Sequence, residues 1–246
     1  MAETIGALIA DMEAVLVRLD AAGDGRRHFH ATYLRTTRAV ADEIARGGFG
    51  DAHWVEAWDL VFADLYLEAL AADLAHRPIP TPWRVAFDAA RDRADLPPLR
   101  HVLLGMNAHI NFDLPQALIA VIGPADFGDA AVLARRAADH RHVDDVLVRR
   151  VDDEDAELGR SGRTLSDRLL QPLNRAATKR FLVEARTKVW RNAAILDAAR
   201  RRGPDAYADR LADLERHSAA RVADLVAPGQ VLLKLARQGF GVRLDP

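Results

Sequence analysis

The sequence predicts an all-α protein: a single irregular multi-helix bundle of about eight helices around one buried central helix. Apolar residues recur at three- and four-residue spacing along most of the 246 residues, the pattern of helices with one face turned inward. Alanine, leucine, arginine and aspartate are abundant while aromatic residues make up only 6%, a mixture that favours helix over sheet. No run alternates apolar with polar residues convincingly enough for a strand. No linker is strong enough to divide the chain, so residues 1–246 are expected to form a single helical domain.

Thr4 to Leu19 carries Ile5, Leu8, Ile9, Met12, Val15, Leu16 and Leu19 on one stripe, and Ala21-Ala22-Gly23-Asp24-Gly25 ends that helix. A second helix, from about Arg27 to Arg46, turns Phe29, Tyr33, Val40 and Ile44 inward. His30, near its start, reads as an exposed or structurally bonded histidine. Gly47-Gly48-Phe49-Gly50 breaks the chain, and Asp51 is a suitable N-cap for a helix that runs to His76. Trp54, Trp58, Val61, Phe62, Leu65 and Ala69 form its apolar face. Asp64, between Phe62 and Tyr66, has the i,i+4 spacing to Glu68 that suits either metal ligands or a solvated edge. Arg77-Pro78-Ile79-Pro80 is a linker, and Thr81-Pro82 reads as a cap and first turn for the helix bearing Trp83, Val85, Ala86 and Phe87.

The stretch from Pro97 to Ile122 is the predicted centre. It is apolar nearly all round, yet Asn107, His109, Asn111 and Asp113 stand in its middle. A buried polar side chain costs a few kcal/mol unless it is hydrogen-bonded, so these four need partners or a cavity. At about 100° per residue, the pair Asn107 and Asn111 and the pair His109 and Asp113 point to opposite sides of the helix. The asparagines are expected to tie the helix to its neighbours. His109 and Asp113, which titrate and can bind metal, are expected at a pocket. Pro115 has no N–H and crowds the Asn111 carbonyl, which predicts either a kink or a helix end near Asp113 with a new start at Pro115.

Gly123-Pro124 ends the centre, and a helix is expected from about Asp126. Within it, His140 with Asp144 and His142 with Asp145 have spacings suited to ion pairs or metal ligation, and Val143, Val146 and Leu147 are assigned inward. Asp152-Asp153-Glu154-Asp155 reads as solvated, and Gly159 to Gly162 as a loop. Two helical segments are expected over about Thr164–Arg175 and Ala177–Arg201, the second with Phe181, Leu182, Ala185, Val189, Ala193 and Leu196 on one stripe. Arg186 and Trp190, i,i+4 beside that stripe, suit an anion or a buried carboxylate. A last long helix spans roughly Asp205 to Val226. Val231 to Leu235 is a short apolar segment, and the tail is expected to cross the bundle or cover another subunit.

Composition excludes several chemistries. There are no cysteines, hence no disulfide, thiolate metal site or cysteine nucleophile. A net charge of −2, with no basic recognition helix or aromatic-and-basic stripe, argues against nucleic acid. The N-terminus lacks the pattern of a signal peptide and no apolar run is long enough to span a bilayer, which points to a soluble cytoplasmic protein. Phosphate-loop, dinucleotide-binding, G-x-S-x-G, H-E-x-x-H and paired E-x-x-H motifs are missing, so no nucleotide cofactor is expected.

The run Gly105-Met106-Asn107-Ala108-His109-Ile110-Asn111-Phe112-Asp113-Leu114-Pro115 resembles the hallmark of an uncharacterised, mainly actinobacterial family, a domain of unknown function. Phe62-Ala63-Asp64-Leu65-Tyr66, the Trp83 to Phe87 helix start and the Arg186 and Trp190 pair are similar to it as well, over about Phe29 to Arg200. The resemblance implies an all-helical fold and carries no established activity.

These residues suggest an enzyme acting on a small organic substrate in a polar pocket of the bundle core. His109 is the candidate acid/base or metal ligand, since a histidine titrates near working pH. Asp113 is its orienting or co-ligating partner. Asn107, Asn111, Asp64, Tyr33, Arg186 and Trp190 are the candidate substrate-binding residues. A divalent metal is the candidate cofactor, with His109, Asp113 and Asp64 as its ligands. The expected partners are a small-molecule ligand or substrate and a second copy of the chain in a homo-oligomer. Two alternatives use the same residues: a non-catalytic binder of a small or lipid-like ligand, and a structural protein whose Asn/His/Asp cluster holds helices together.

Overall fold

The computed structural model describes residues 2–158, 165–227, 229, 235 and 239–245, with side chains for 2–146, 184–227, 229, 235 and 239–245. Helix α1 (Ile5–Ala21) is capped by Thr4, whose hydroxyl accepts from the Ala7 N–H at 3.2 Å. After α2 (Arg27–Ala45), Asp51 caps α3 (Ala52–Leu74) by accepting from the Trp54 N–H at 3.0 Å. Helix α4 spans Thr81–Asp92. Its Thr81 is not the cap: the preceding residue is Pro80, and the Thr81 N–H is bound instead by the Glu215 carboxylate at 2.7 Å.

The centre is one helical run in three pieces: α5 (Pro98–Ala108), a π turn (His109–Asp113) and α6 (Leu114–Val121). It packs against α2, α3, α4, α9 and α10, and Leu104, Ala108, Ala117 and Leu118 are fully enclosed. The expected kink or break at Pro115 is met by the π turn, in which the Leu114 N–H reaches back to the His109 carbonyl. Pro115 has no N–H to give the Asn111 carbonyl, and the wider turn takes up that mismatch without ending the helix.

A short α7 (Pro124–Phe127) precedes α8 (Ala130–Leu158), so the long helix starts later than Asp126. Asp129 fixes that start by accepting from the Ala131 and Val132 N–H groups at 2.8 and 3.1 Å. Helix α9 runs unbroken over Leu165–Arg202, not as two segments, because Ala176 and Ala177 at the expected gap are strong helix formers. Helix α10 spans Pro204–Val226. The acidic run 152–155 falls in the backbone of α8. Its side chains, those of Leu147, Phe181 and Leu182, the expected loop 159–162 and residues 231–234 of the apolar segment lie outside the described residues.

Among the described residues there is no strand, and the helices pack as a bundle. The α5 and α6 split and the short α7 give more segments than the sequence suggests. No described helix is long and apolar enough to cross a membrane.

Residues 239–245 cross α5, the π turn and α9, burying Phe240, Val242 and Leu244. Side chains take the place of a second strand for this segment. Asn107 and Asn111 both donate from Nδ2 to the Phe240 carbonyl at 3.1 Å, and Asn111 Oδ1 accepts from the Val242 N–H at 2.9 Å. Asn192 repeats the pattern on the Val242 carbonyl (3.1 Å) and the Leu244 N–H (3.0 Å).

Candidate functional site

A cavity of about 120 Å³ lies where α2, α3, α5, the π turn, α8 and α9 meet. Phe29, Trp58, Phe62, Met106, Leu114 and Val143 give it largely apolar walls. Its titratable groups are Tyr33 from α2, Asp59 from α3, His109 from the π turn, His140 and Asp144 from α8, and Arg186 from α9, and Thr32 and Thr36 of α2 line it as well.

His109 is held on three sides. Its ring stacks on Phe62 at 3.6 Å between centroids and 3° between planes, and Tyr33 packs edge-on at 4.6 Å. Its Nδ1 is 2.8 Å from Asp113 Oδ2, which also accepts from the Trp83 indole N–H at 2.9 Å. The remaining nitrogen, Nε2, is buried and has no hydrogen-bond partner. Burial holds the His109 pKa well below the ordinary histidine value, so the ring is neutral. Burial pushes Asp113 well above the ordinary carboxylate value, opposed by the Trp83 hydrogen bond. One proton then sets the chemistry of Nε2. With Asp113 ionised, Nδ1 carries the proton and Nε2 is a base; with Asp113 protonated and donating to Nδ1, Nε2–H is an acid.

Asp59 is 3% exposed, and its Oδ2 has no hydrogen-bond partner. Burial, aided by the charge of Glu56, pushes its pKa up to about 7. The Tyr33 hydroxyl and the Trp58 indole N–H are likewise buried without partners. His140 Nδ1 accepts from the Trp190 indole N–H at 2.8 Å, which places its own proton on Nε2. Burial, then the positive charges of Arg186 and Arg141, lower its pKa to about 3. Arg186 forms an ion pair with Asp144, and burial lowers it to about 10.

The family comparison matches residues 5–228, a span that takes in every residue lining the cavity. The chain belongs to the DUF5995 family of unknown function. No curated protein and no solved structure matches it.

Of the residues singled out in this DUF5995 sequence, the structure brings Tyr33, His109 and Arg186 to the cavity wall, with Asp113 directly behind His109. Trp190 stands behind His140, while Asn107 and Asn111 face the tail. Asp64 is half-buried and away from the cavity. Among the described residues, no group of three or more His, Cys, Asp or Glu is arranged to hold a metal ion. His140 and Asp144 bond to Trp190 and Arg186 rather than to each other. His142 meets Glu43 at 2.7 Å rather than Asp145. His30 is structural, tied to the Tyr66 hydroxyl at 2.9 Å and the Met12 carbonyl at 2.8 Å.

The residue that sequence reasoning missed is Asp59. Its signal was present, since Val55, Asp59, Phe62 and Ala63 share one helical stripe and all four are buried. Trp83 as the donor to Asp113 joins residues 30 apart, which no local spacing reveals.

Proposed function

We propose that the protein is an enzyme acting on a small organic substrate in this cavity, with His109 Nε2 as the acid/base and Asp113 as the group that orients the ring and sets its protonation. The observation that carries the reading is the environment of His109, a residue that lines the cavity: Nδ1 fixed by Asp113 at 2.8 Å, the ring clamped on Phe62, and Nε2 buried without a partner. An oriented, neutral imidazole with one free nitrogen is what proton transfer needs. Tyr33 and Arg186 are the substrate-facing groups from other helices. In this reading Trp190 supports His140, and Asn107 and Asn111 support the helix through the tail. A metal-assisted version uses His109 and Asp113 as ligands with the remaining donors from substrate or water. The chain acts as one domain, and the run from Gly105 to Pro115 is the family's signature because it builds the turn that carries His109.

The cavity limits the substrate. A 150 Å³ apolar cavity accepts benzene, so about 120 Å³ accommodates a reacting portion of roughly half a dozen non-hydrogen atoms. The test is incubation of the full chain with a mixed small-metabolite extract, read by mass spectrometry against His109→Gln. Depletion of a compound by the wild type alone is the expected result. Equal, null profiles with retained ligand binding leave a non-catalytic binder, which the apolar walls also suit. Null profiles without binding leave the packing network. Metal analysis of the wild type and His109→Ala decides the metal-assisted version.

A further inference from the structure

We infer that the cavity is a site for a small organic monocation, an amine or methylated ammonium group, with the buried Asp59 carboxylate as its counter-ion and the rings of Tyr33, Trp58 and Phe62 as its cage. This rests on the reading of the cavity as a ligand site and supplies the ligand's class.

The argument is one of unmatched charge. Asp59 is 3% exposed and its Oδ2 has no hydrogen-bond partner. A buried carboxylate is tolerated when it is paired or hydrogen-bonded, so this position is matched to a partner the chain does not itself provide. The other charged groups on the wall are already engaged, and the unpartnered Tyr33 hydroxyl is neutral. Arg186 is paired with Asp144, His140 holds an indole N–H with Nδ1 and is therefore neutral, and His109 is tied to Asp113. The charge left over is negative. A cation placed there meets an unpaired carboxylate among aromatic rings, whereas an anion meets that same carboxylate with Arg186 already paired to Asp144. The volume of about 120 Å³ fits an ammonium group with a few carbons.

Tetramethylammonium, pivalate and tert-butanol have similar shapes and carry positive, negative and no charge. Isothermal titration of each into the full chain at pH 8 tests the inference on the wild type without any substitution. Tetramethylammonium should bind at least about tenfold more tightly than tert-butanol, as a desolvated cation beside a carboxylate and aromatic rings requires, and pivalate should not bind. Asp59→Asn, which keeps the shape, should abolish that preference, while Asp64→Asn, on the same helix but away from the cavity, should keep it. Equal binding of the cation and the alcohol, binding of pivalate, or an undiminished preference in Asp59→Asn overturns the inference. Cation preference without turnover of any metabolite would remove the enzymatic reading and leave this site standing. Turnover without cation preference would do the reverse.

Discussion

Asp59 is the residue whose cost to the fold is easiest to measure. In the folded chain its pKa stands at about 7, against an ordinary 3.8 that the unfolded chain is expected to keep. Between those values the unfolded state has released the proton and the folded state still holds it. Stability is therefore greatest, as far as this group decides it, below about pH 4, and it falls as pH rises toward about 7. A shift of roughly three pH units corresponds to about 4 kcal/mol. Asp59→Asn escapes that loss. We expect it to match the wild type near pH 4 and to exceed it by a few kcal/mol at pH 8, with urea denaturation across that range as the measurement. A wild type that is the more stable at pH 8 would show that Asp59 already has a cationic partner in the fold. A second prediction concerns the dyad. Trp83→Phe removes the indole N–H from the Asp113 oxygen and should cost about 1–3 kcal/mol by denaturation. A loss below about half a kcal/mol would show that this bond does not hold the carboxylate. At this scale the sequence was half legible. His109 and Asp113 stood out because polar residues interrupt an apolar helix. Asp59 did not, because the tryptophans beside it drew the face of α3 elsewhere and a lone aspartate among them reads as solvated.

At the scale of the element, the central run succeeds by letting other helices come close. Gly105 lies where α5 meets α2: a Cβ built on it would stand 2.3 Å from Phe29 Cγ and 2.8 Å from Phe29 Cβ, which are near the base of that side chain. Phe29 is buried and cannot swing clear, so Gly105→Ala should cost about 1–3 kcal/mol through overpacking. Combining it with Phe29→Ala, which removes Cγ and the ring, should cost less than the sum of the two single changes, since the new methyl takes part of the space they leave. Additive losses in denaturation would show that the helices simply move apart. The position of the disturbance in this run was legible from Pro115, whose missing N–H is a local fact. Its form was not. A proline says that one carbonyl loses its partner, and whether the helix bends, ends or widens depends on the neighbours packed around the turn. The unbroken α9 shows the converse, for nothing between Arg175 and Ala177 required the gap expected there.

At the scale of the molecule, residues 239–245 hold the centre and α9 together. Phe240, Val242 and Leu244 alternate inward over an extended segment, and their period of two was visible in the sequence though too short to stand out as a strand. What no pattern revealed is the partner, because the backbone of this segment pairs with the side-chain amides of Asn111 and Asn192 rather than with another strand. Removing residues 239–246 should therefore cost more than any single asparagine change. It removes three enclosed apolar side chains, whose burial is worth about 1.5–3 kcal/mol each, and strands the amides that met the segment's backbone. The sharper test combines the two. In the full chain Asn111→Ala leaves the Phe240 and Val242 backbone groups with fewer partners and should cost about 1–3 kcal/mol. In the truncated chain the same change removes an amide that has already lost its partners, so its cost should vanish or reverse sign. Denaturation of the four chains closes the cycle. If Asn111→Ala costs the same with and without the tail, the amide is not stabilised by these contacts. The division of the central helix into a face that holds the tail and a face that serves the cavity would then fall with it.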